Sequence, residues 1–181
     1  GEDTLSLHDA LPISPLLFDL TSLQRTCNRR FGWSAQHTLS EAQRLYEEHK
    51  LLSYPRTDSR YLGRDVIALL PKLFAAVGSS KTYAAFANQL RDVSPPRRVF
   101  QDQRVTDHHA IIPTTTSAAE ASLSPDERKI HDLICRRLLC AWHDDLVEKT
   151  TTVITEVASV EEGQIQTDRF KTTGTVVEQA G

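Results

Sequence analysis

The stretch that decides the fold is TLSEAQRLYEEHKLLSYPRTDSRYLG, residues 38–63. Thr38 and Glu41 match a T-x-x-E capping box, and apolar side chains recur after them at helical spacing. The pattern predicts a helix to about Lys50 that ends before Pro55, because proline cannot continue a helix. The segment therefore predicts a helix followed by an extended, proline-fixed tyrosine.

Tyr54 and Arg56 are the chemically most suggestive pair in this stretch. A following proline favours extended backbone, in which side chains i and i+2 share one face. A phenol is a weak nucleophile at neutral pH unless a base or cation favours its phenolate, and a guanidinium can bind phosphate and offset charge at phosphorus. Thr57 and Ser59 add hydroxyl donors, and Asp58 can accept from an arginine or cap a turn. Alternatively, Tyr54 only packs its ring and Asp58-Ser59 only cap a helix.

Four further helical patterns surround this stretch. The first ends at a Gly32 stop, the second is kinked or divided at Pro71, and the last opens on a Ser124 N-cap with proline at its first position. These predicted helices cover residues 22–31, 65–77, about 83–90 (apolar face Tyr83, Phe86, Ala87 and Leu90) and about 125–142 (apolar face Ile130, Leu133, Ile134, Leu138 and Ala141).

The character of the chain changes after Asp145, where two Thr/Val-rich segments, 149–159 and 169–177, flank the turn-prone VEEGQ. The fold class is therefore α+β. We predict a helical domain over residues 15–145 and a truncated β segment over 146–181. Residues 1–14, which resemble the translated read-through of a sequencing adapter, are expected to be a non-native or disordered lead.

The distribution of charge indicates which partners the chain can bind, and the cysteines indicate the redox state of its compartment. The net charge of −3 is uneven: basic residues outnumber acidic ones over residues 15–114, and the reverse holds afterwards. A local basic face can still meet a phosphate backbone, and Arg25, Arg29 and Arg30 form an arginine ridge that could equally be a merely solvated face. The three cysteines form no C-x-x-C pair, which favours a reducing, intracellular compartment. No apolar run is long enough to span a bilayer.

A second motif, DHHAIIPT, occupies residues 107–114. Adjacent histidines cannot both face one way in a strand, which disfavours a two-histidine metal site. A simpler interpretation than a metal site is that one imidazole donates to a phosphate. Alternatively, a histidine of this pair, His109 in particular, is only a solvated loop residue. Gln43 and Tyr46, three residues apart on the predicted helix, suit base-edge contact and base stacking, although Tyr46 also falls on the apolar stripe.

Together these motifs resemble type IA DNA topoisomerases, particularly the topoisomerase III-like branch. The S-Y-P-R-T-D-S and H-x-A-I-x-P-T motifs stand in the family's order and spacing, and the resemblance covers about residues 15–181. It implies a helical tyrosine domain, similar to a catabolite-activator-type helix-turn-helix unit, followed by an incomplete β segment of the family's arch domain.

The resemblance also implies roles for individual residues. Tyr54 is the expected nucleophile, forming a 5′-phosphotyrosine with single-stranded DNA, and Arg56 is expected to stabilise phosphoryl charge. The expected DNA-binding set is His108, Gln43, Tyr46 and the loop-shaping Thr57, Asp58 and Ser59. Supercoiled or catenated DNA is expected as the substrate of the longer parent, which is expected to be monomeric and to act at the nucleoid in a bacterial cytoplasm, with no membrane partner.

The family's Mg²⁺ is expected in a Toprim domain of the parent, with none bound by this chain. The isolated chain is therefore expected to be nearly silent catalytically, since positioning and electrostatics carry most of phosphoryl transfer. The alternative class is a non-enzymatic helix-turn-helix module that binds duplex DNA. A tyrosine recombinase would need several dispersed Arg and His positions that the sequence does not place.

Overall fold

The computed structural model describes residues 6–8, 16–90, 94–142, 147–161 and 164–179. The chain divides into two compact units: Pro15–His143, and Gly1–Ser14 together with Asp144–Gly181. The first unit is helical and the second is a β-ribbon, which confirms the predicted α+β class. The elements are α1 (Leu20–Phe31), α2 (Ala35–Glu47), α3 (Leu70–Gly78), α4 (Ala84–Gln89), α5 (Pro125–Trp142), β1 (Ser6–His8), β2 (Val147–Glu161), β3 (Gln164–Gln179) and 3₁₀ turns at Arg64–Leu69 and Asp102–Arg104.

Helix α1 has a well-formed cap at each end. The Asp19 side chain accepts from the Ser22 N–H at 2.6 Å, and the Asp19 N–H donates to the Ser22 hydroxyl at 3.1 Å. At the other end Gly32 adopts φ 71°, a left-handed conformation that glycine reaches without a Cβ penalty. The predicted stop at Gly32 is confirmed, and the helix starts two residues before the predicted Ser22.

The predicted capping box at Thr38 and Glu41 is wrong. Helix α2 is capped by Ser34, whose hydroxyl accepts from the His37 N–H at 3.1 Å. Thr38 lies inside the helix, fully buried, and donates to the Ser34 carbonyl at 3.1 Å. Since the earlier serine caps the first turn, Thr38 is left as an interior residue, and the helix ends at Glu47 rather than near residue 50.

Of the predicted helices over residues 65–77 and 83–90, the first is confirmed and the second is only partly correct. The segment from residue 64 is divided at Pro71, which lies in the first turn of α3, as the sequence predicts. In the next segment Tyr83, Ala87 and Leu90 are buried, but Phe86 is 52% exposed. Its place on the predicted buried face is wrong, because α4 has only six residues and cannot present a full apolar stripe.

Helix α5 begins where the sequence predicts. The Ser124 hydroxyl accepts from the Glu127 N–H at 3.1 Å, and a Glu127 carboxylate oxygen accepts from the Ser124 N–H at 2.6 Å. Its predicted apolar face is confirmed as buried: Ile130, Leu133, Ile134, Leu138 and Ala141. One face of α5 therefore runs through the core of the helical unit.

Two hydrophobic clusters form that core. One gathers α1, α2 and the first half of α5 around Phe18 and Ile111, and the other gathers α3, α4 and the end of α5 around Phe74 and Trp142. Isolated β-bridges join Phe18 to Ile111 and Leu52 to Pro113. They hold the segment that leads into Tyr54 beside the segment that follows the two histidines.

The second unit is an antiparallel sheet of order β1-β2-β3. Strands β2 and β3 pair from Glu161 opposite Gln164 outward, and the central residues of the predicted turn at VEEGQ, Glu162 and Gly163, lie outside the described residues. Strand β1, Ser6–His8, pairs with β2. It lies within residues 1–14, the segment expected to be a non-native or disordered lead. The non-native origin of that segment stays a prediction. Large apolar side chains are exposed on the ribbon: Ile154, Val157, Ile165, Phe170, Val176 and Val177.

Candidate active site around Tyr54

Tyr54 follows a tight link after α2. Lys50 in that link has φ 56°, a left-handed conformation that is unfavourable for a side chain with a Cβ. The Lys50 carbonyl accepts from the Thr114 hydroxyl at 2.6 Å, and the Leu51 N–H donates to the Leu45 carbonyl at 2.9 Å. These bonds hold the strained link and direct the following residues along the 110–114 segment.

The half-buried Tyr54 ring contacts two other rings. Its centroid lies 5.5 Å from that of Tyr46 at 78°, an edge-to-face arrangement, and 4.4 Å from that of His108 at 44°. Tyr46 comes from α2, and His108 comes from a loop more than fifty residues later in the chain. The fold thus brings together three residues that the sequence analysis placed in the site separately.

Arg56 is exposed, and its Nη2 donates to the Gln43 side-chain oxygen at 3.4 Å. Gln43 and Tyr46 share a face of α2, so Arg56 and Tyr54 meet the same helix. Among the residues that the structure describes, no carboxylate lies within ion-pair distance of Arg56. Its charge is therefore available to an anion near this face of α2.

Thr57 and Ser59 are buried and engaged within the protein. The Thr57 hydroxyl donates to the His108 carbonyl at 3.0 Å and accepts from the Ser59 N–H at 3.1 Å. The Ser59 hydroxyl lies 3.1 Å from the Arg104 carbonyl, to which it donates. These contacts support a loop-shaping role; direct strand contact by either hydroxyl would require it to leave its present partner.

Asp58 is exposed and accepts from the Thr106 hydroxyl at 2.9 Å. Its partner is therefore neither an arginine nor a helix N-terminus, the two possibilities that the sequence left open. Together with Thr57 and Ser59, it ties the tyrosine loop to the 104–108 segment at three successive residues. The position of the site histidine is thus coupled to the position of Tyr54.

The two histidines of the second motif have different environments. His108 is exposed and stacks obliquely on Tyr54, whereas His109 is half-buried and its Nδ1 lies 2.7 Å from the Ala110 carbonyl. That imidazole nitrogen donates to the carbonyl of the following residue. The structure therefore brings His108 to the site and leaves His109 in a local backbone contact.

A buried ionic network supports the site, and the sequence analysis missed it. The Glu127 carboxylate, fully buried, lies 3.0 Å from Arg44 Nη2 and 3.2 Å from His49 Nε2. Burial alone raises the pKa of Glu127, but the hydrogen bonds from Ser124 and the charges of Arg44 and His49 outweigh it and lower the pKa overall. The network fixes the end of α2 and the start of the tyrosine link on α5.

The sequence contains only a partial signal for this network. Glu127 is recognisable as the third residue of a capped helix, and Arg44 as a charged residue beside Tyr46. Their contact joins helices more than eighty residues apart in the chain. No local periodicity predicts which buried carboxylate meets which guanidinium.

The described residues form no cluster of metal ligands, and two of the three cysteines, Cys27 and Cys135, are buried, whereas Cys140 is exposed. Within those ranges, no three His, Cys, Asp or Glu side chains form a group that could hold a metal ion. Burial raises the pKa of Cys27 to about 11 and that of Cys135 to about 12, so both thiols stay protonated at neutral pH. The site around Tyr54 therefore contains a phenol, a guanidinium, an imidazole, an amide and the single carboxylate of Asp58.

Comparison with known proteins identifies the family. A family model described as DNA topoisomerase matches residues 9–181. DNA topoisomerase 3 of Bacillus cereus (strain ATCC 14579) is 41% identical over 148 residues, and DNA topoisomerase 3 of Bacillus subtilis (strain 168) is 43% identical over 146. These alignments cover 81% and 80% of this chain but 20% of each relative, so the chain spans about a fifth of their length.

The fold has a solved counterpart in full-length topoisomerase I from Thermotoga maritima. The TM-score is 0.57 at 23% sequence identity, and the match covers 96% of this chain and 27% of that one. At this identity the likeness concerns the fold alone. The family model, which matches almost the whole chain, confirms the resemblance noted in the sequence: the chain belongs to the DNA topoisomerase family.

Proposed function

We propose that the chain carries the nucleophile of a type IA topoisomerase and that Tyr54 attacks a phosphodiester of single-stranded DNA. The observation that supports this most directly is that the Tyr54 ring contacts exposed His108 and Tyr46 of α2, while exposed Arg56, two residues after Tyr54, contacts Gln43 of the same helix. Catalysis of phosphoryl transfer depends chiefly on positioning and charge stabilisation, and the described residues offer both.

The proposed step balances as a transesterification. The Tyr54 oxygen loses its proton and bonds to phosphorus, the bond from phosphorus to the 3′ oxygen breaks, and that oxygen takes up a proton. The products are a 5′-phosphotyrosine and a free 3′-hydroxyl. Attack of that hydroxyl on the phosphotyrosine reverses the step and reseals the strand, so no nucleotide cofactor is consumed.

Each neighbour has a role that its contacts support. Arg56 stabilises negative charge on the phosphoryl oxygens, for which a guanidinium is well suited. His108, exposed against the Tyr54 ring, donates to a phosphate oxygen. Gln43 and Tyr46 present an amide and an aromatic ring to the bases of the strand.

The parent's Mg²⁺ is part of the proposal, but the residues around Tyr54 do not fit it. Mg²⁺ is held by several carboxylates and other hard oxygen ligands, whereas this site offers one carboxylate, that of Asp58, beside a phenol, a guanidinium, an imidazole and an amide. The metal would be held by a Toprim domain of the parent, and no step above depends on it. Relaxation or decatenation of DNA is proposed for the parent, a monomeric bacterial enzyme acting at the cytoplasmic nucleoid, and not for the isolated chain.

Transfer of a labelled strand tests the proposal in the full-length enzyme that contains this chain. A single-stranded oligonucleotide labelled at its 3′ end should yield a labelled, denaturant-resistant protein adduct, whereas a 5′ label should stay unattached. Tyr54→Phe should abolish the adduct while leaving strand binding within about twofold. Persistence of the adduct in that variant would exclude Tyr54 as nucleophile, and preferential binding to duplex would favour the helix-turn-helix alternative.

A further inference from the structure

Arg60 and Arg137 contact the main chain where it enters the helical unit, and together with Arg29 and Arg30 of α1 they are called here the arginine patch. Arg29 and Arg30 are exposed in the last turn of α1, and Arg60 and Arg137 are half-buried. Burial, and then the positive charges of Arg60, Arg30 and Arg29, lower the pKa of the Arg137 guanidinium. None of them takes part in the site around Tyr54.

Two members of the patch are fixed by the main chain. Arg137 Nη1 donates to the Leu16 carbonyl at 2.9 Å, and Arg60 Nε donates to the Leu17 carbonyl at 3.3 Å. The Arg137 guanidinium also lies 3.9 Å from the centre of the Phe18 ring, a cation–π contact. Each guanidinium has five N–H donors, so one bond to a carbonyl leaves several available for a ligand.

The charge of the patch is not neutralised within the described part of the chain. There, no carboxylate lies within ion-pair distance of any of its four guanidinium groups, whereas Arg44, Arg64, Arg136 and Arg169 each have an acidic partner. Like charges held together repel one another, and an anion bound between them would offset that repulsion. Pre-positioned guanidinium groups suit phosphate, which they bind in fork geometry.

We infer that the arginine patch is a second DNA-contact surface, which binds the phosphodiester backbone independently of the Tyr54 site. It would position DNA without reading its sequence, since backbone contacts carry no base information. The choice of DNA as the polyanion rests on the proposed function, because the patch lies on the unit that carries the proposed nucleophile. An acidic protein surface is the competing occupant that the experiment must separate.

Salt-dependent binding of the 181-residue chain to fluorescent oligonucleotides tests the inference. The double variant Arg29→Ala/Arg30→Ala removes two exposed charges of the patch, and Lys72→Ala/Lys81→Ala, exposed on and just after α3, removes two elsewhere. The slope of log affinity against log salt should become shallower by about 1.4 for single strands, or about 1.8 if duplex is the ligand. The lysine control should keep the parental slope; equal slopes for the arginine variant and its parent would overturn the inference and leave an acidic protein surface as the occupant.

Charge-conserving variants separate phosphate geometry from overall charge. Arg60→Lys and Arg137→Lys keep the positive charge but lose the fork, and each should weaken binding several-fold at fixed salt if phosphate is held in fork geometry. Circular dichroism of each variant checks that half-buried Arg137 can be replaced without unfolding. Should only Arg137→Lys unfold, the Arg60→Lys and double-alanine variants still decide the matter.

The outcomes also distinguish this inference from the proposed function. In the full-length enzyme, Arg29→Ala/Arg30→Ala should raise KM for strand cleavage several-fold with kcat unchanged, whereas Tyr54→Phe should abolish cleavage and leave the salt slope unchanged. If the salt slope changes in Arg29→Ala/Arg30→Ala but the covalent adduct persists in Tyr54→Phe, the arginine patch is supported as a DNA-contact surface and Tyr54 is excluded as the nucleophile. If the slope stays unchanged in the arginine variant and the adduct is lost in Tyr54→Phe, Tyr54 is supported as the nucleophile and the patch is rejected as a DNA-contact surface.

Discussion

At the residue scale, the buried hydroxyl of Thr57 organises the site without being a reacting group. It satisfies the Ser59 N–H and the His108 carbonyl at once, so the tyrosine loop and the histidine loop share one side chain. A polar atom in this position specifies geometry because its partners are costly to leave unpaired.

Replacing Thr57 by valine should therefore destabilise the helical unit. The substitution keeps the branched shape but removes both hydrogen bonds, and the free energy of unfolding should fall by about 1–3 kcal/mol. Urea denaturation measures the change. Thr21→Val, at an exposed position in the first turn of α1, is the matched control and should change the stability by less than about 0.5 kcal/mol. Equal effects from the two variants would show that the Thr57 bonds contribute nothing specific.

The residue scale also shows where sequence reasoning ends. The pairing of Tyr54 with Arg56 follows from an extended backbone, and the structure brings both to α2. The inward position of Thr57 does not follow from the sequence, because its acceptor lies 51 residues away. Contacts between residues so far apart in the sequence depend on how the segments pack, and a local sequence pattern does not predict that packing.

At the element scale, the cap residues explain both a correct and an incorrect helix prediction. Pro125 at the first helical position fixes the start of α5, so Ser124 had no rival as N-cap. Helix α2 offered two competent caps four residues apart, Ser34 and Thr38. Burial of Thr38 in the core decides for the earlier serine, and burial is a tertiary property that capping preferences do not contain.

The contact between α2 and α5 through Glu127 leads to a prediction about pH. The pKa of Glu127 is lower in the folded chain than the value near 4.3 expected for an unfolded glutamate, so folding favours the carboxylate. This contribution to stability is present above the unfolded pKa and is lost as the pH falls through the folded pKa. Glu127→Gln should therefore lower the free energy of unfolding by about 1.5–3 kcal/mol at pH 7, and by less below pH 4.

Denaturation of both proteins at several pH values between 7 and 3 measures the difference. Glu47→Gln, exposed at the end of α2, removes the same charge without entering the network and should change stability little at any of these pH values. A difference between parent and Glu127→Gln that stays constant from pH 7 to pH 3 would contradict the linkage. It would mean that packing of the side chain, and not its charge, joins the two helices.

At the scale of the whole molecule, the two units differ in how they bury apolar surface. Both hydrophobic clusters consist of residues between Leu17 and Trp142, whereas the ribbon exposes large apolar side chains such as Ile165 and Val176. The sequence predicted the change from helices to strands after Asp145, but not the exposure of apolar side chains on the ribbon. What the sequence did not show was the short pairing of β1 with β2.

The helical unit should therefore fold without the ribbon. A chain restricted to residues 15–143 contains both clusters and is expected to unfold cooperatively, with a urea midpoint within about 0.5 M of the full chain's. Both tryptophans, Trp33 and Trp142, lie in this unit, so intrinsic fluorescence reports on it alone in either protein. Val176→Ser in the full chain, a change on the exposed ribbon, should likewise leave the tryptophan transition in place. A non-cooperative transition in the shortened chain, with native fluorescence lost at low urea, would show that the helical core depends on residues of the ribbon.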